Sequence, residues 1–565
     1  MPRKKSKTYS WDFETTVDPR DCRVWAWASV NVDDFSDVAV GTTIDSFIEF
    51  ISKSNCKGSF HNLKFDGEFI LTWLLNNGFK HTTHKEKIKE NEFYTLISDK
   101  GQFYQIIIQF KNSRVTITDS FKLLPFKVEK IAKDFGLPIS KLKIDYVAAR
   151  KKGHILTQEE FDYVVADAKI VAMAIKTLRD NGMTKMTIGS NALSNYRVSV
   201  GKNFRYLFPV PDNDNFIRKS YKGGFVYANP IFAGKTVGAG IVLDVNSLYP
   251  SVMFNPDNYY PVGNGYYYDG QYEYDPVRPL YIQRIMCSFK IKKNHLPTIQ
   301  IKGAFSGFIP TEYLTSTNGQ IVELTLTCID LQLFFDHYDV SELIYIDGFK
   351  YEAKTQLFTD YIVYWSEAKA QAKRDGNKSL YALAKLMLNN LYGKFSTNPV
   401  CASKIPYLDN GVVKYAPGEK EKREPVYIPV GTFVTAYARN VTIRAAQKLY
   451  FRFLYADTDS LHLLGTEIPK ELDINDYRLG AWKHESSFVR GKYLRAKTYI
   501  EQEIKKECDG FIVSQRKITV AGMPSQCYSQ VTFDNFKIGA VYTGKLRPVH
   551  VPGGIVLDST TFKIR

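Results

Sequence analysis

The chain has 565 residues, 44% of them hydrophobic, and its 75 Lys and Arg exceed its 59 Asp and Glu to give a net charge of +16. That length allows about three to four packing units, and a basic surplus of this size favours a polyanionic partner, nucleic acid being the usual one. Seven scattered cysteines (Cys22, Cys56, Cys287, Cys328, Cys401, Cys508, Cys527) include no CxxC pair, which argues against both a zinc site and a disulfide framework.

The basic start MPRKKSK leads into no apolar signal core, and the longest apolar run, around QFYQIIIQF, is too short to span a bilayer. A soluble protein of a reducing cytoplasm is the expectation. Residues 1 to about 185 alternate short strands (VWAWASVNV, QFYQIIIQF, RVTITDS) with helical stretches. The last helix opens on a capping box, Thr157-Gln-Glu-Glu160. It continues through Phe161, Val164, Val165, Ala168, Ala172 and Ile175 at helical spacing, and stops at Gly182. A Gly-rich joint, YKGGFVY (221–227), precedes the buried-looking strand GIVLDV. Residues 256 to about 352 are strand-rich, and two helical segments fill 357–392 with DGN as their turn. Residues 400–425 form a hairpin about Asn410-Gly411. A helix over 436–449 then runs into YADTDS (455–460), and the last hundred residues are mixed and basic. There is no internal repeat.

Carboxylates carry the chemistry. Asp12 and Glu14 in SWDFETT sit at i, i+2 on a strand and so share a face. Asp66 lies in HNLKFDGEF, while Tyr163 and Asp167 fall one helical turn apart. Four acids from three segments suit two Mg²⁺, which activate a water and steady the leaving oxygen in phosphodiester hydrolysis, with Tyr163 orienting that water. A second set joins Asp244, at the end of an apolar strand in LDVNSLYP, to Asp457 and Asp459, read as same-face neighbours on one strand end. Two Mg²⁺ there would lower the pKa of a primer 3′-hydroxyl and clamp a nucleoside triphosphate. The helix ALAKLMLNNLYGKF adds Lys385, Asn389 and Tyr392 as one polar stripe opposite Leu380, Leu383, Met387 and Leu391. No GxxxxGK[ST] occurs, so no P-loop holds the phosphates.

In this order DVNSLYP, KLMLNNLYGKF, YADTDS and a later KTY resemble the polymerase motifs of family B DNA polymerases. DFET, HNLKFD and Tyr163-x-x-x-Asp167 resemble the three exonuclease motifs of that family. The compact length, the YKGGF joint and two insertions point to the protein-primed branch of small tailed bacteriophages, of the phi-twenty-nine type. The fold so implied is multidomain α/β, with an RNase H-like 3′→5′ exonuclease domain at 1–187 and a right-hand polymerase domain. Its palm would comprise 188–255 and 425–524, its fingers 355–397 and its thumb 525–565. Insertions would lie at 256–354, of the terminal-protein-region type, and at 398–424, a hairpin for processivity and strand displacement.

The resemblance also implies site roles. Asp244, the Val245 backbone, Asp457 and Asp459 would serve two catalytic metals, and Asp12, Glu14, Asp66 and Asp167 the metals of an editing site with Tyr163. Ser247, Leu248, Tyr249, Lys369, Lys385, Asn389 and Tyr392 would hold nucleotide, Tyr249 lying beneath its sugar. Single-stranded DNA would meet Thr15, His61, Asn62, Phe65, Ser120, Phe121 and Lys141. Primer and template would meet Tyr221, Gly223, Gly224, Gly393, Thr435, Arg439, Lys497 and Tyr499. One departure stands out: family members tend to carry a second lysine one turn before Lys385, and here Tyr381 stands there, leaving Lys378 or Lys369 to take over the charge. The expected activity is DNA-directed DNA polymerization with 3′→5′ proofreading, strand displacement and protein-primed initiation of a viral genome in the cytoplasm of an infected bacterium. Its cofactor would be Mg²⁺, with Mn²⁺ as substitute. Its partners would be primer-template and single-stranded DNA, dNTPs, a terminal protein and a phage single-stranded DNA-binding protein, met by a monomeric chain. Rival readings are a DNA-primed polymerase, an exonuclease alone, and a non-catalytic DNA-binding replication factor. A mere binder has no need of two acidic clusters, and a reverse transcriptase would not bring the editing set.

Overall fold

The computed structural model describes residues 6–146, 148, 150–300, 312–508 and 511–565. The first five residues of the basic start, and 301–311 within the strand-rich block, lie outside them. Eight strands form the first sheet: β1 Lys7–Thr15, β2 Val24–Asn31, β3 Val38–Gly41, β4 Cys56–Phe60, β5 Lys80–Thr82, β6 Glu92–Ile97, β7 Phe103–Gln109 and β8 Arg114–Asp119. Their order is 3-2-1-4-8-7-6-5, with parallel pairing of β1 to β4 and of β4 to β8 at the centre. Both faces are covered. Trp27 of β2 packs with Phe47 of the helix Ile44–Ser52, while its neighbour Ala28 points into the other core with Val164 and Ala168 of the helix Gln158–Asp180. The Thr157–Glu160 capping box that starts this second helix forms as the sequence predicts.

A second sheet contains β9 Val226–Ala228, β10 Thr236–Val237, β11 Gly240–Val245, β18 Phe453–Asp457, β19 Ser460–Leu464, β20 Trp482–Arg495, β21 Thr498–Cys508 and β22 Phe511–Val520. β11 lies between β20 and β19, antiparallel to both, which makes GIVLDV a central buried strand. The strand-rich block folds as β12 Tyr260–Asp269, β13 Leu280–Ile291, β14 Val322–Thr327 and β15 Tyr338–Lys354, with a helix Cys328–His337 that the sequence reading did not mark. Two strand pairs complete the chain, β16 Val400–Asp409 with β17 Val412–Lys422, and β23 Val541–Val551 with β24 Gly554–Lys563. No helix among the described residues is long and apolar enough to cross a membrane.

Three local expectations are refined. The helices Thr359–Arg374 and Lys378–Phe395 flank the DGN turn, where Gly376 takes φ 67°. The helix expected over 436–449 begins earlier, at Ile428, with Pro429 in its first turn, where a missing amide costs nothing. YADTDS does not continue as a strand end. Asp457 closes β18, Ser460 opens β19 opposite it, and Thr458 adopts the left-handed φ of 64° in the tight turn between. Asp457 and Asp459 are therefore neighbours around a hairpin tip and not same-face residues of one strand.

Candidate active sites

The β18–β19 tip is clamped against β11. Asp244 is the Cα partner of Ser460, and the Val245 amide donates to the Asp459 carbonyl at 2.8 Å. The amide of Thr458 donates to the Phe225 carbonyl at 2.7 Å, and the Thr442 hydroxyl donates to the Thr458 carbonyl at 2.6 Å. A Cβ at Gly224 would come within 2.7 Å of the Thr458 side chain, so the joint must be glycine there. Three carboxylates thus crowd one spot. Burial and the charge of Asp244 push the Asp459 carboxyl up to about 6, and burial raises Asp244 against the pull of Lys483.

Lysines answer these acids. Lys497, held in a left-handed turn, places Nζ 2.9 and 3.0 Å from the two carboxylate oxygens of Asp457. Lys483 on β20 places Nζ 3.4 Å from Oδ1 of Asp244 and 3.0 Å from Oε2 of Glu485. Beneath the tip lies an aromatic floor of Tyr455, Tyr493 and Tyr499 around His462. There the buried Glu501 accepts from Tyr493 at 2.6 Å and pairs with His462 at 2.6 Å.

Facing the carboxylates is the polar stripe of the helix Lys378–Phe395. Lys385 and Asn389 are exposed while Leu383, Met387 and Leu391 are buried, as the helical spacing predicts. Tyr392 stacks on Tyr249 with ring centroids 3.9 Å apart and planes 15° apart. Tyr249 lies in the first turn of the short helix Leu248–Phe254, whose preceding residue, Ser247, adopts φ 57°. Lys369 lies with Nζ 5.6 Å from the Tyr381 ring.

The second carboxylate set lies on the first sheet. Asp12 and Glu14 of β1 face Asp66, on the helix Leu63–Asn76, and Asp167. Burial, then the charges of Glu14 and Asp167, lift Asp12 well above the carboxylate range. Burial and Asp167 push Glu14 up to about 8, while burial and Asp12 raise Asp66. Lys141 donates to Asp167 and stands 3.4 Å from the Tyr163 hydroxyl, which also meets Tyr146. Asp167 and Tyr163 share the helix face, as their spacing implies.

Both sets suit a hard divalent cation. Their donors are oxygens only, Oδ1 of Asp167 is buried without a hydrogen-bond partner, and a lysine ammonium stands against an acid in each set. Among the described residues no three acidic, histidine or cysteine side chains are gathered tightly enough to cage an ion alone. That is compatible with Mg²⁺, which keeps waters and takes substrate phosphates as further ligands.

The remaining sequence-predicted residues fall in two groups. His61, Asn62, Phe65, Ser120 and Phe121 cluster beside the second set, where His61 meets the Ser120 hydroxyl at 3.0 Å and the Phe126 carbonyl at 2.7 Å. Thr15 ends β1 nearby. Thr435 and Arg439 are instead buried at 1% and 3% exposure. The Arg439 guanidinium is consumed by Asp330, at 2.7 to 3.1 Å, and by the carbonyls of Lys222 and Gly223 at 2.7 and 2.9 Å. It fixes the 221–224 joint and offers no free donor to DNA. Tyr499, 7% exposed, belongs to the floor beneath Asp457. Gly393 is exposed on the helix Lys378–Phe395 and has open space around it. Lys378 turns away from the site and packs on Gly136.

Two residues escaped the sequence reading. The buried carboxylate of Asp119 accepts from the amides of Asn62, Leu63 and Phe121 at 3.0, 3.3 and 3.0 Å, and so sets the loop that carries His61 and Asn62. An aspartate closing an apolar strand was the signal, the same one that marked Asp244. Lys483 gave no local signal at all.

Comparison with known proteins identifies the family. Residues 48–163 and 149–476 match the family described as DNA polymerase type B, organellar and viral. The DNA polymerase of Bacillus phage phi29 is 43% identical over the full length of both chains. That of Streptococcus phage Cp-1 is 34% identical over 99% of this chain and 98% of its own. The solved structure of Phi29 DNA polymerase complexed with primer-template DNA superposes with a TM-score of 0.94 at 42% identity, covering 99% of this chain and 100% of that one. This chain therefore belongs to the organellar and viral type B DNA polymerases, and is a DNA-directed DNA polymerase of the phage kind.

Proposed function

We propose that the chain copies a phage genome from a protein primer in the host cytoplasm, adding nucleotides at the Asp244–Asp457 site and editing at the Asp12–Asp66 site. What carries the reading is the presence of two separate carboxylate sets, one on each large sheet, each partly neutralised by a lysine. The division of the chain into exonuclease, palm, fingers, thumb and two insertions follows the boundaries predicted above.

Asp244, the Val245 carbonyl and Asp457 would hold two Mg²⁺ (or Mn²⁺), with Asp459 beside the primer end; Asp12, Glu14, Asp66 and Asp167 would hold the editing pair. When bound, such ions lower the pKa of the attacking hydroxyl or water and neutralise phosphate charge. The protein's own residues do the positioning. Lys385 and Lys369 meet the triphosphate, and the paired rings of Tyr249 and Tyr392 form a flat bed for the nucleotide. At the editing site Tyr163, raised far above the ordinary phenol range by burial and then by Glu14, keeps its proton and can donate it to orient the attacking water. Lys141 balances Asp167, and His61, Asn62, Phe65, Ser120 and Phe121 line the approach of single-stranded DNA. Phi29 DNA polymerase has been solved with primer-template DNA and incoming nucleotide, and with single-stranded DNA. The same ligands suit this chain, together with a terminal protein and a single-stranded DNA-binding protein.

Two outcomes test the reading. Incubated with the phage terminal protein, labelled dNTP and Mg²⁺, the chain should form a covalent protein–nucleotide adduct, a partner hydroxyl replacing the primer end with release of pyrophosphate. Extension of DNA primers without any adduct would move it to the DNA-primed branch. Sugar choice should rest on Tyr249, whose ring is pinned by Tyr392. Tyr249→Val should raise ribonucleotide incorporation by roughly tenfold or more, since shape exclusion in a pocket is worth about 1–3 kcal/mol. Unchanged dNTP-over-rNTP selectivity would assign the gate elsewhere.

A further inference from the structure

Three lysines from three elements act on one another's charge beside Asp244. Lys385 and Lys369 come from the two helices that flank the DGN turn, and Lys483 comes from β20. Register delivers Lys483: it is the Cα partner of Asp244 across the β11–β20 pairing. Its ammonium is held slackly, 3.4 Å from Asp244 and 3.0 Å from Glu485, where a tight ammonium–carboxylate bond is about 2.7–2.9 Å. Both Lys483, at 31% side-chain exposure, and Glu485, at 50%, are open to solvent. Burial, then the charges of Lys385 and Lys483, draw the Lys369 ammonium below its ordinary range, so the three cations feel one another. Neither Lys369 nor Lys385 has an ion-pair partner among the described residues, and Tyr381 meets Lys369 with a ring and no charge. Three ammoniums that repel one another, two of them without an ion-pair partner among the described residues and the third only loosely paired, suit a polyanion, and a triphosphate has the charge and length to meet all three.

We propose that Lys483 is a nucleotide-positioning residue that grips the triphosphate of the incoming dNTP from the sheet side, opposite Lys369 and Lys385, and leaves Asp244 as the nucleotide arrives. The inference rests on the Asp244 set being the site of nucleotide addition. A divalent ion at Asp244 would repel the ammonium. Its long stem lets it swing while Glu485 remains as an alternative partner.

The test measures binding without chemistry. The whole chain, carrying Asp12→Ala and Asp66→Ala in every variant so that the primer end is not edited away, is mixed with a primer-template whose primer ends in a dideoxynucleotide, and dATP opposite a template T is titrated calorimetrically in Mg²⁺. Lys483→Met, which keeps the stem and removes the charge, should weaken dATP binding about tenfold, and Lys483→Arg by no more than about threefold. Tyr381→Lys introduced into Lys483→Met should recover most of the loss by supplying a cation one turn before Lys385. In extension assays KM for dATP should rise with the dissociation constant while kcat changes less than about twofold. Unchanged dATP affinity in Lys483→Met, with the melting curve of the wild type, would overturn the proposal and leave Lys483 as a counter-ion of Asp244 only. So would a double variant that recovers nothing. A wild-type chain that fails to bind dATP would overturn the reading of the site as well, whereas a wild type that binds while Lys483→Met matches it overturns this inference alone.

Discussion

Asp457→Ala is expected to abolish primer extension while leaving 3′→5′ degradation of single-stranded DNA intact. The double change Asp12→Ala with Asp66→Ala is expected to do the reverse. The two sets stand on different sheets joined through a continuous core, so neither needs the other's carboxylates. Loss of a carboxylate that holds reacting charge should slow nucleotide addition by at least about 10³-fold, roughly 4 kcal/mol at the transition state. The fold should survive. Asp457 and Lys497 form a pair whose side chains are 26% and 53% exposed, and such pairs add at most about 1 kcal/mol to stability. At the other site burial and like charges hold both carboxyls up, Glu14 and Asp167 acting on Asp12 and Asp12 acting on Asp66, so removing both relieves desolvation and repulsion. Extension and degradation measured side by side on one labelled primer-template read both arms at once. Loss of both activities from either change, in protein with a native melting curve, would refute separable sites.

Local chemistry made a good part of this architecture legible. The Thr157–Glu160 capping box, the Asn410-Gly411 turn with φ of 50° and 76°, and the face shared by Tyr163 and Asp167 are short-range patterns, and each forms as its residues predict. Asp244 was readable because a carboxylate at the end of an apolar strand is expensive without a partner. What stayed hidden depends on contacts distant in sequence. Thr458 takes a left-handed conformation that no β-branched residue favours alone, imposed here by Phe225, Thr442 and Gly224 from other segments. Arg439 was placed at the primer or template by the family resemblance alone; its pairing with Asp330, 109 residues away, is a contact that no local pattern announces. Lys483 acquires meaning only from the β11–β20 register.

The hairpin β16–β17 shows how such a distant contact changes an expectation. Sequence predicts a protruding basic arm, and Lys404, Lys414, Lys420 and Lys422 outnumber its acids Asp409, Glu419 and Glu421 by one. It is not a free arm, however. Val413 enters the core of the first sheet together with Ile555 and Val556 of the β23–β24 hairpin, and Tyr415 donates to the buried Glu68 at 2.8 Å, with His550 3.5 Å from the same carboxylate. Gly411 at its tip has open space out to Pro552, 3.7 Å from where a Cβ would lie. The arm therefore bridges the first sheet to the C-terminal hairpin. A basic bridge of this kind can enclose duplex DNA through contacts to phosphates that read no sequence. Enclosure would make release wait for the bridge to open, and a template path beneath it too narrow for duplex would turn the paired strand away.

Replacing 402–420 by a short Gly-Ser turn is therefore expected to leave addition of a single nucleotide near the wild-type rate. Products made in one encounter, with competitor DNA present, should shorten by at least about tenfold, as a loss of about 1.4 kcal/mol in the bound state would give. Synthesis should also halt on reaching a downstream duplex. Because the deletion uncovers the seat of Val413, Glu68→Gln provides a gentler version: it removes the buried charge but keeps an acceptor for Tyr415, and should shorten products less. A deletion variant that still copies long tracts through duplex in a single encounter would show that the bridge serves packing and not the hold on DNA.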